Sequence, residues 1–150
     1  WNYFMSVDSP ANDKFIDGWL AFIGDDERVT NDPMEATYIG FKMWVAAVNK
    51  AKSTDPTKVE QAIIGVEVPN LTGGIAKMLP NHHITKPVLI GEIQDDGQFE
   101  VVWSTEGTVA GDAWSDFLPS SKDVTADWQA PLSCGNYNVK TGKCSGQNYE

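Results

Sequence analysis

The chain has 150 residues and a formal net charge of -10, from 21 acidic against 11 basic side chains. Coulomb repulsion at that charge disfavours nucleic acid or an anionic membrane as a partner, which leaves a small or neutral ligand, or a protein. An apolar content of 41%, with six Trp and six Phe, can fill the core of one domain and excludes a disordered chain. No apolar run approaches the about 20 residues needed to cross a bilayer.

Trp1-Asn2-Tyr3-Phe4-Met5-Ser6-Val7 reads as a strand that opens without a signal sequence or initiator Met, as a fragment or processed product would. A first helix is expected over 9–24: Asp8 or Ser9 can cap it, Pro10 suits its first turn, and Gly24 offers the stop. Phe15, Ile16, Trp19, Leu20, Phe22 and Ile23 supply its apolar face. The charged connection 25–31 contains Val29, either a buried anchor or a brief strand.

A second helix is expected over 33–52, with Asp32 as cap, Pro33 in the first turn and Glu35 completing a capping box. Met34, Tyr38, Phe41, Val45 and Val48 recur at steps of three or four, and Ile39, Trp44 and Ala47 widen that face. A helix start also offers free N–H groups and the positive end of the dipole, so Asp32 and Glu35 serve either as caps alone or as the edge of a recognition site. The third helix, 56–64, repeats the device with Asp55 before Pro56, turns Val59, Ala62 and Ile63 inward, and ends at Gly65.

From residue 66 to 103 the pattern changes to strands. Val66-Glu67-Val68 and Ile75 to Leu79 flank the breaker-rich stretch Pro69 to Gly74, and Val88 to Gln94 and Gln98 to Trp103 form a hairpin around Asp95-Asp96-Gly97. Residues 107–150 read as an ordered wrapping tail, anchored by Trp114, Phe117, Leu118 and Trp128. Trp1, Trp19, Trp44 and Trp103 fall at periodic core positions. Cys134 and Cys144 flank a Gly/Asn-rich loop, which favours a disulfide over two reduced thiols; two cysteines cannot complete a tetrahedral zinc site.

The remaining chemical motifs are weak. His82-His83 point to opposite faces of any strand, Asp25-Asp26 and Asp95-Asp96 sit in turns, and Gly73-Gly74 lacks the Lys and Ser/Thr of a phosphate loop. No nucleophile elbow is present. Asn70-Leu71-Thr72 matches a glycosylation acceptor, a pattern short enough to arise by chance. No cofactor, metal site or enzymatic activity is expected.

Tyr3 to Pro10, Asn31-Asp32-Pro33-Met34-Glu35-Ala36-Thr37-Tyr38-Ile39-Gly40, Asn81-His82-His83 and Val88 to Phe99 together resemble the C-terminal portion of urea-binding proteins. Those are solute-binding subunits of bacterial urea ABC transporters, within the branched-chain amino-acid and amide-binding group of type I periplasmic binding proteins. The resemblance runs from residue 1 to about 144, including the Cys-Gly-Asn-Tyr tail. It implies an α/β fold, the C-terminal portion of a two-lobed protein that closes by a hinge, with three helices, a small antiparallel sheet and a wrapping tail. Residues 1–106 would form that portion, and 107–150 the tail with its disulfide loop.

Carried over, Asp32, Pro33, Met34 and Glu35 line the ligand site, and Tyr38 is a further candidate. The implied function is non-enzymatic capture of urea or a short amide for delivery to an ABC transporter permease. Its partners would be that ligand, the permease and the remaining N-terminal part of the same protein, with no nucleic acid. The implied location is periplasmic or extracellular, with lipid anchoring through a missing N-terminus left open. An amide sensor of the same fold and a processed extracellular interaction protein are the alternatives.

Overall fold

A computed structural model describes residues 1–112, 117, 124–125, 137–138 and 140–144. The chain divides into two compact units, Trp1–Gly111 and Asp112–Glu150. In the second, β5 (Val124–Thr125), β6 (Tyr137–Asn138) and β7 (Lys143–Cys144) pair antiparallel in that order. Phe117, expected as an anchor, is fully exposed. Trp114, Leu118, Trp128, Cys134 and the side chain of Cys144 lie outside the described residues, and with them the expected disulfide.

The first unit holds the three helices found among the described residues: α1 (Pro10–Ile23), α2 (Asp32–Ala51) and α3 (Pro56–Ile63). Each starts as the Pro spacing dictates, after a side-chain cap. Ser9 accepts from Asn12 N, Asn31 from Met34 N, and Asp55 from Lys58 N. Gly24 closes α1 in the left-handed region at φ 69°. Lys50 of α2 donates to the carbonyls of Ala62 and Ile64 at 2.9 and 3.2 Å, supplying partners that the short α3 lacks at its C-terminal end.

Instead of one small sheet, the unit contains two separate hairpins. β1 (Glu67–Pro69) pairs with β2 (Ile75–Lys77), and β3 (Leu89–Ile93) with β4 (Phe99–Ser104). Glu67 faces Lys77 across the first and bonds it at 3.0 Å. The second turns at Gly97, φ 80°, and carries a bulge between Ile90 and Gly91.

The core gathers Tyr3, Ile39, Met43, Ala47, Val59, Val68, Leu71 and Ala76, with α2 packed against α3 and β1. Several expectations change here. The fully buried residues of α2 are Glu35, Ile39, Met43 and Ala47; Ile39 and Ala47 lie on the expected face and Tyr38 and Val48 pack against the core, but Phe41, Trp44 and Val45 are exposed. A helix apolar on most of its surface has no unique stripe, so periodicity alone does not choose the inward side. On α1, Phe22 is exposed for the same reason, and its buried residue is Asn12.

The opening segment is extended but is no strand. A turn with Val7 N on Phe4 O at 3.1 Å breaks the run, and its backbone meets β3 only where Trp1 exchanges two hydrogen bonds with Leu89. Trp1, Trp44 and Trp103 are exposed and not in the core, and Val29 is exposed while its neighbour Thr30 is buried.

Candidate functional site

The entry to α2 is built differently from the sequence expectation. Asn31, not Asp32, is the cap: its extended backbone, φ -145° and ψ 172°, puts Oδ1 3.1 Å from Met34 N. Asp32 is thereby the first helical residue, and its Oδ1 is buried with no hydrogen-bond partner. An unpaired buried acceptor costs about 1–3 kcal/mol unless a donor is supplied to it.

Asp32 borders a cleft of about 450 Å³. Trp1, Tyr3, Phe4 and Met5 line it from the opening segment, Thr30, Asn31, Asp32 and Pro33 from the α2 entry, and Gln98 and Phe99 from the β3–β4 hairpin. Its aromatic wall is fixed by packing. Phe4 stacks on Phe99 with centroids 4.6 Å apart, and Ser6 Oγ donates to the Phe99 carbonyl. That stack depends on Gly91, where an added Cβ would lie 2.8 Å from Phe4 Cε2.

Behind the cleft runs a buried polar network. The Tyr3 hydroxyl donates to Asn12 Oδ1 at 2.8 Å and shares a hydrogen bond with Thr30 Oγ1 at 2.7 Å, while Asn12 Nδ2 holds the Met5 and Val7 carbonyls. Burial pushes the Tyr3 phenol above its ordinary range; the Thr30 hydrogen bond opposes this and the Glu35 charge adds to it.

Glu35 does not complete a capping box. Its side chain is fully buried and bonded to the Lys86 ammonium, itself nine-tenths buried. Burial pushes this carboxyl above the usual carboxylate range, against the hydrogen bond and charge of Lys86, and neighbouring Asp32 adds to the rise. Glu35 Oε1 has no partner. A buried acid in an apolar helix stripe calls for a cation, which is the signal that points to Lys86; nothing in the local sequence says which of the 11 basic residues answers it.

The five expected site residues therefore separate. Asp32 and Pro33 line the cleft, Glu35 lies behind it, and Met34 and Tyr38 face a shallow apolar groove with Phe15, Trp19 and Phe41, which Pro33 also borders. A larger hollow of about 830 Å³, between the Thr72–Ile75 loop and β4, contains none of the five. His82 takes a positive φ of 62° in a turn, and among the described residues no group of three or more His, Cys, Asp or Glu is placed to hold a metal ion. The acceptor amide of the Asn70 glycosylation pattern is buried. No described helix is long and apolar enough to cross a membrane.

Three comparisons set this geometry among known proteins. A protein of Geobacillus stearothermophilus named limonene hydroxylase is 36% identical over 105 residues, 70% of this chain and 19% of that protein. The crystal structure of a solute-binding protein of an ABC transporter from Rhodopseudomonas palustris HaA2, in complex with p-hydroxybenzoic acid, matches with a TM-score of 0.58 at 24% identity. The match covers 73% of this chain and 30% of that one, a likeness of fold. The chain thus spans less than a third of either relative. The family model of the periplasmic binding protein domain matches residues 1–120, and the chain belongs to that family.

Proposed function

We propose that this chain forms part of a periplasmic solute-binding protein that captures urea or a short amide and delivers it to an ABC transporter permease, with no bond chemistry of its own. The observation that carries the reading is Asp32, a cleft-lining residue whose buried Oδ1 has no hydrogen-bond partner. Urea offers four N–H donors and one carbonyl, so a pocket for it needs acceptors on several sides and a donor for the oxygen. Asp32 supplies one acceptor, Asn31 and Gln98 bring amides to the same cleft, and the rest of the protein supplies the remaining contacts.

The charge of the lining favours a neutral solute over an anion. Among the described residues, the cleft has an acidic side chain and no Lys, Arg or His. A carboxylate ligand beside Asp32 would meet a like charge, with no Lys, Arg or His side chain among these lining residues to offset it. The aromatic carboxylate bound by the Rhodopseudomonas protein is therefore a poor match for this part of the cleft, although Trp1, Phe4 and Phe99 would accommodate a ring.

Calorimetric titration of urea, acetamide, leucine and p-hydroxybenzoate into the full-length protein tests the reading. Saturable binding of urea or acetamide alone supports it. Preference for leucine or p-hydroxybenzoate overturns the amide assignment, and no binding of any of the four overturns the solute assignment.

A further inference from the structure

A single short segment, Lys86 to Leu89, holds both ends of the cleft. At the α2 end, Lys86 bonds Glu35, which stands three residues beyond Asp32 and so on the same side of the helix. At the other end, the Pro87 carbonyl accepts from Asn2 Nδ2 at 2.8 Å. Leu89 exchanges hydrogen bonds of 2.7 and 3.0 Å with Trp1, a lining residue. The segment is anchored in turn, because the Lys86 N–H and carbonyl both pair with Val109, at 3.1 and 2.7 Å. Lys86 itself lines no part of the cleft.

We propose that Lys86 is a positioning residue: by pairing with Glu35 it fixes the α2 entry against the same segment that fixes Trp1, so solute affinity depends on a charge that never touches solute. What is bound rests on the amide reading above, but the bracing does not. Burying this ion pair gains little stability over an apolar pair of similar shape, whereas removing one partner strands a charge. That asymmetry makes the pair a poor device for stability alone and a sensitive one for geometry. Removing Lys86 leaves Glu35 with no partner on either oxygen, facing Asp32 on its own helix and Tyr3 from the opening segment.

The test is made in full-length protein, comparing wild type with K86M, K86R and the doubly neutral E35Q/K86M, which folds without a stranded charge even if K86M does not. Urea affinity is measured well below each unfolding midpoint, so that loss of folded protein does not enter. For K86M we expect a loss of about tenfold at pH 8, within the range for residues coupled through one network, easing as the pH falls and Glu35 takes up a proton. E35Q/K86M should bind more weakly than wild type with no such pH slope, and K86R should lie nearer wild type than either.

A K86M or E35Q/K86M affinity within twofold of wild type at pH 8 overturns the proposal. If wild type binds neither urea nor acetamide, the amide reading fails and the bracing is read by hydrogen exchange. Loss of amide protection at residues 1–5 and 30–35 together in E35Q/K86M, with Val59 to Ile63 unchanged, supports the brace. Unchanged protection at those two ends overturns it.

Discussion

Replacing Gly91 by alanine sets two effects of opposite sign against each other at the cleft wall. In a strand interior, alanine ordinarily gains about 0.5–1 kcal/mol over glycine, because glycine loses more backbone freedom on folding. Here the new Cβ would stand 2.8 and 2.9 Å from Phe4 Cε2 and Cζ and 3.1 Å from Phe99 Cβ. Carbon atoms prefer about 3.5–4.0 Å, so something must move by more than half an ångström.

Neither neighbour yields easily. The Phe4 ring is buried and stacked on Phe99, and the Phe99 Cβ is fixed to the backbone of β4. Overpacking of this kind costs about 1–3 kcal/mol, which outweighs the backbone gain. Gly91→Ala should therefore destabilise by about 1–2 kcal/mol, the difference of the two effects. Gly40→Ala is the control: it lies within α2 and its Cβ would meet nothing within 4 Å. That variant should be stabilised by about 1 kcal/mol. Guanidinium chloride unfolding is the assay, since urea is the proposed ligand and would confound its own titration. A Gly91→Ala protein as stable as Gly40→Ala would refute the account of the Phe4–Phe99 wall.

Further outcomes follow from the same contacts. Asn31→Ala should cost about 1 kcal/mol through the lost cap, and Asp32→Ala less, because Asn31 is the capping residue; thermal unfolding of the two variants checks it, and an equal or larger loss for Asp32→Ala would contradict it. Ile39→Ala should cost about 2–5 kcal/mol because its side chain is fully buried, while Phe41→Ala, 61% exposed, should change the stability of this chain by less than about 0.5 kcal/mol. The raised Glu35 pKa has a definite sign. The folded state binds this proton more tightly than the unfolded one, so the associated stability is present below the ordinary 4.5 and is lost as pH rises through the folded value. Glu35→Gln removes that dependence, and the stability of wild type relative to Glu35→Gln should fall with rising pH over this window in melting curves. A flat or rising difference would contradict the buried assignment.

The sequence disclosed most where a local rule acts alone. Pro10, Pro33 and Pro56 with their preceding caps locate three helix starts to within a residue or so, and Gly97 locates the hairpin turn. It disclosed least where the outcome depends on what lies across the fold. The inward face of α2 is chosen by packing and by Lys86, 51 residues from Glu35, and neither leaves a trace in periodicity. The same applies to the site. Asp32 and Pro33 could be read from the helix start, but Glu35, Met34 and Tyr38 share that start and face elsewhere. Which polar residue before Pro33 caps the helix is not set by spacing alone, and Asn31 takes that role. Phe99 and Gln98 enter the cleft only because the hairpin returns there.

The measurement that tests the central claim most directly is the urea affinity of full-length Asp32→Ala protein against wild type. A charge-assisted hydrogen bond from solute to this carboxylate contributes about 1.5–3 kcal/mol, so its loss should weaken binding by about 10- to 150-fold with the fold intact. Equal affinity in the two proteins would remove Asp32 from the site and, with it, the assignment of the α2 entry as a solute contact.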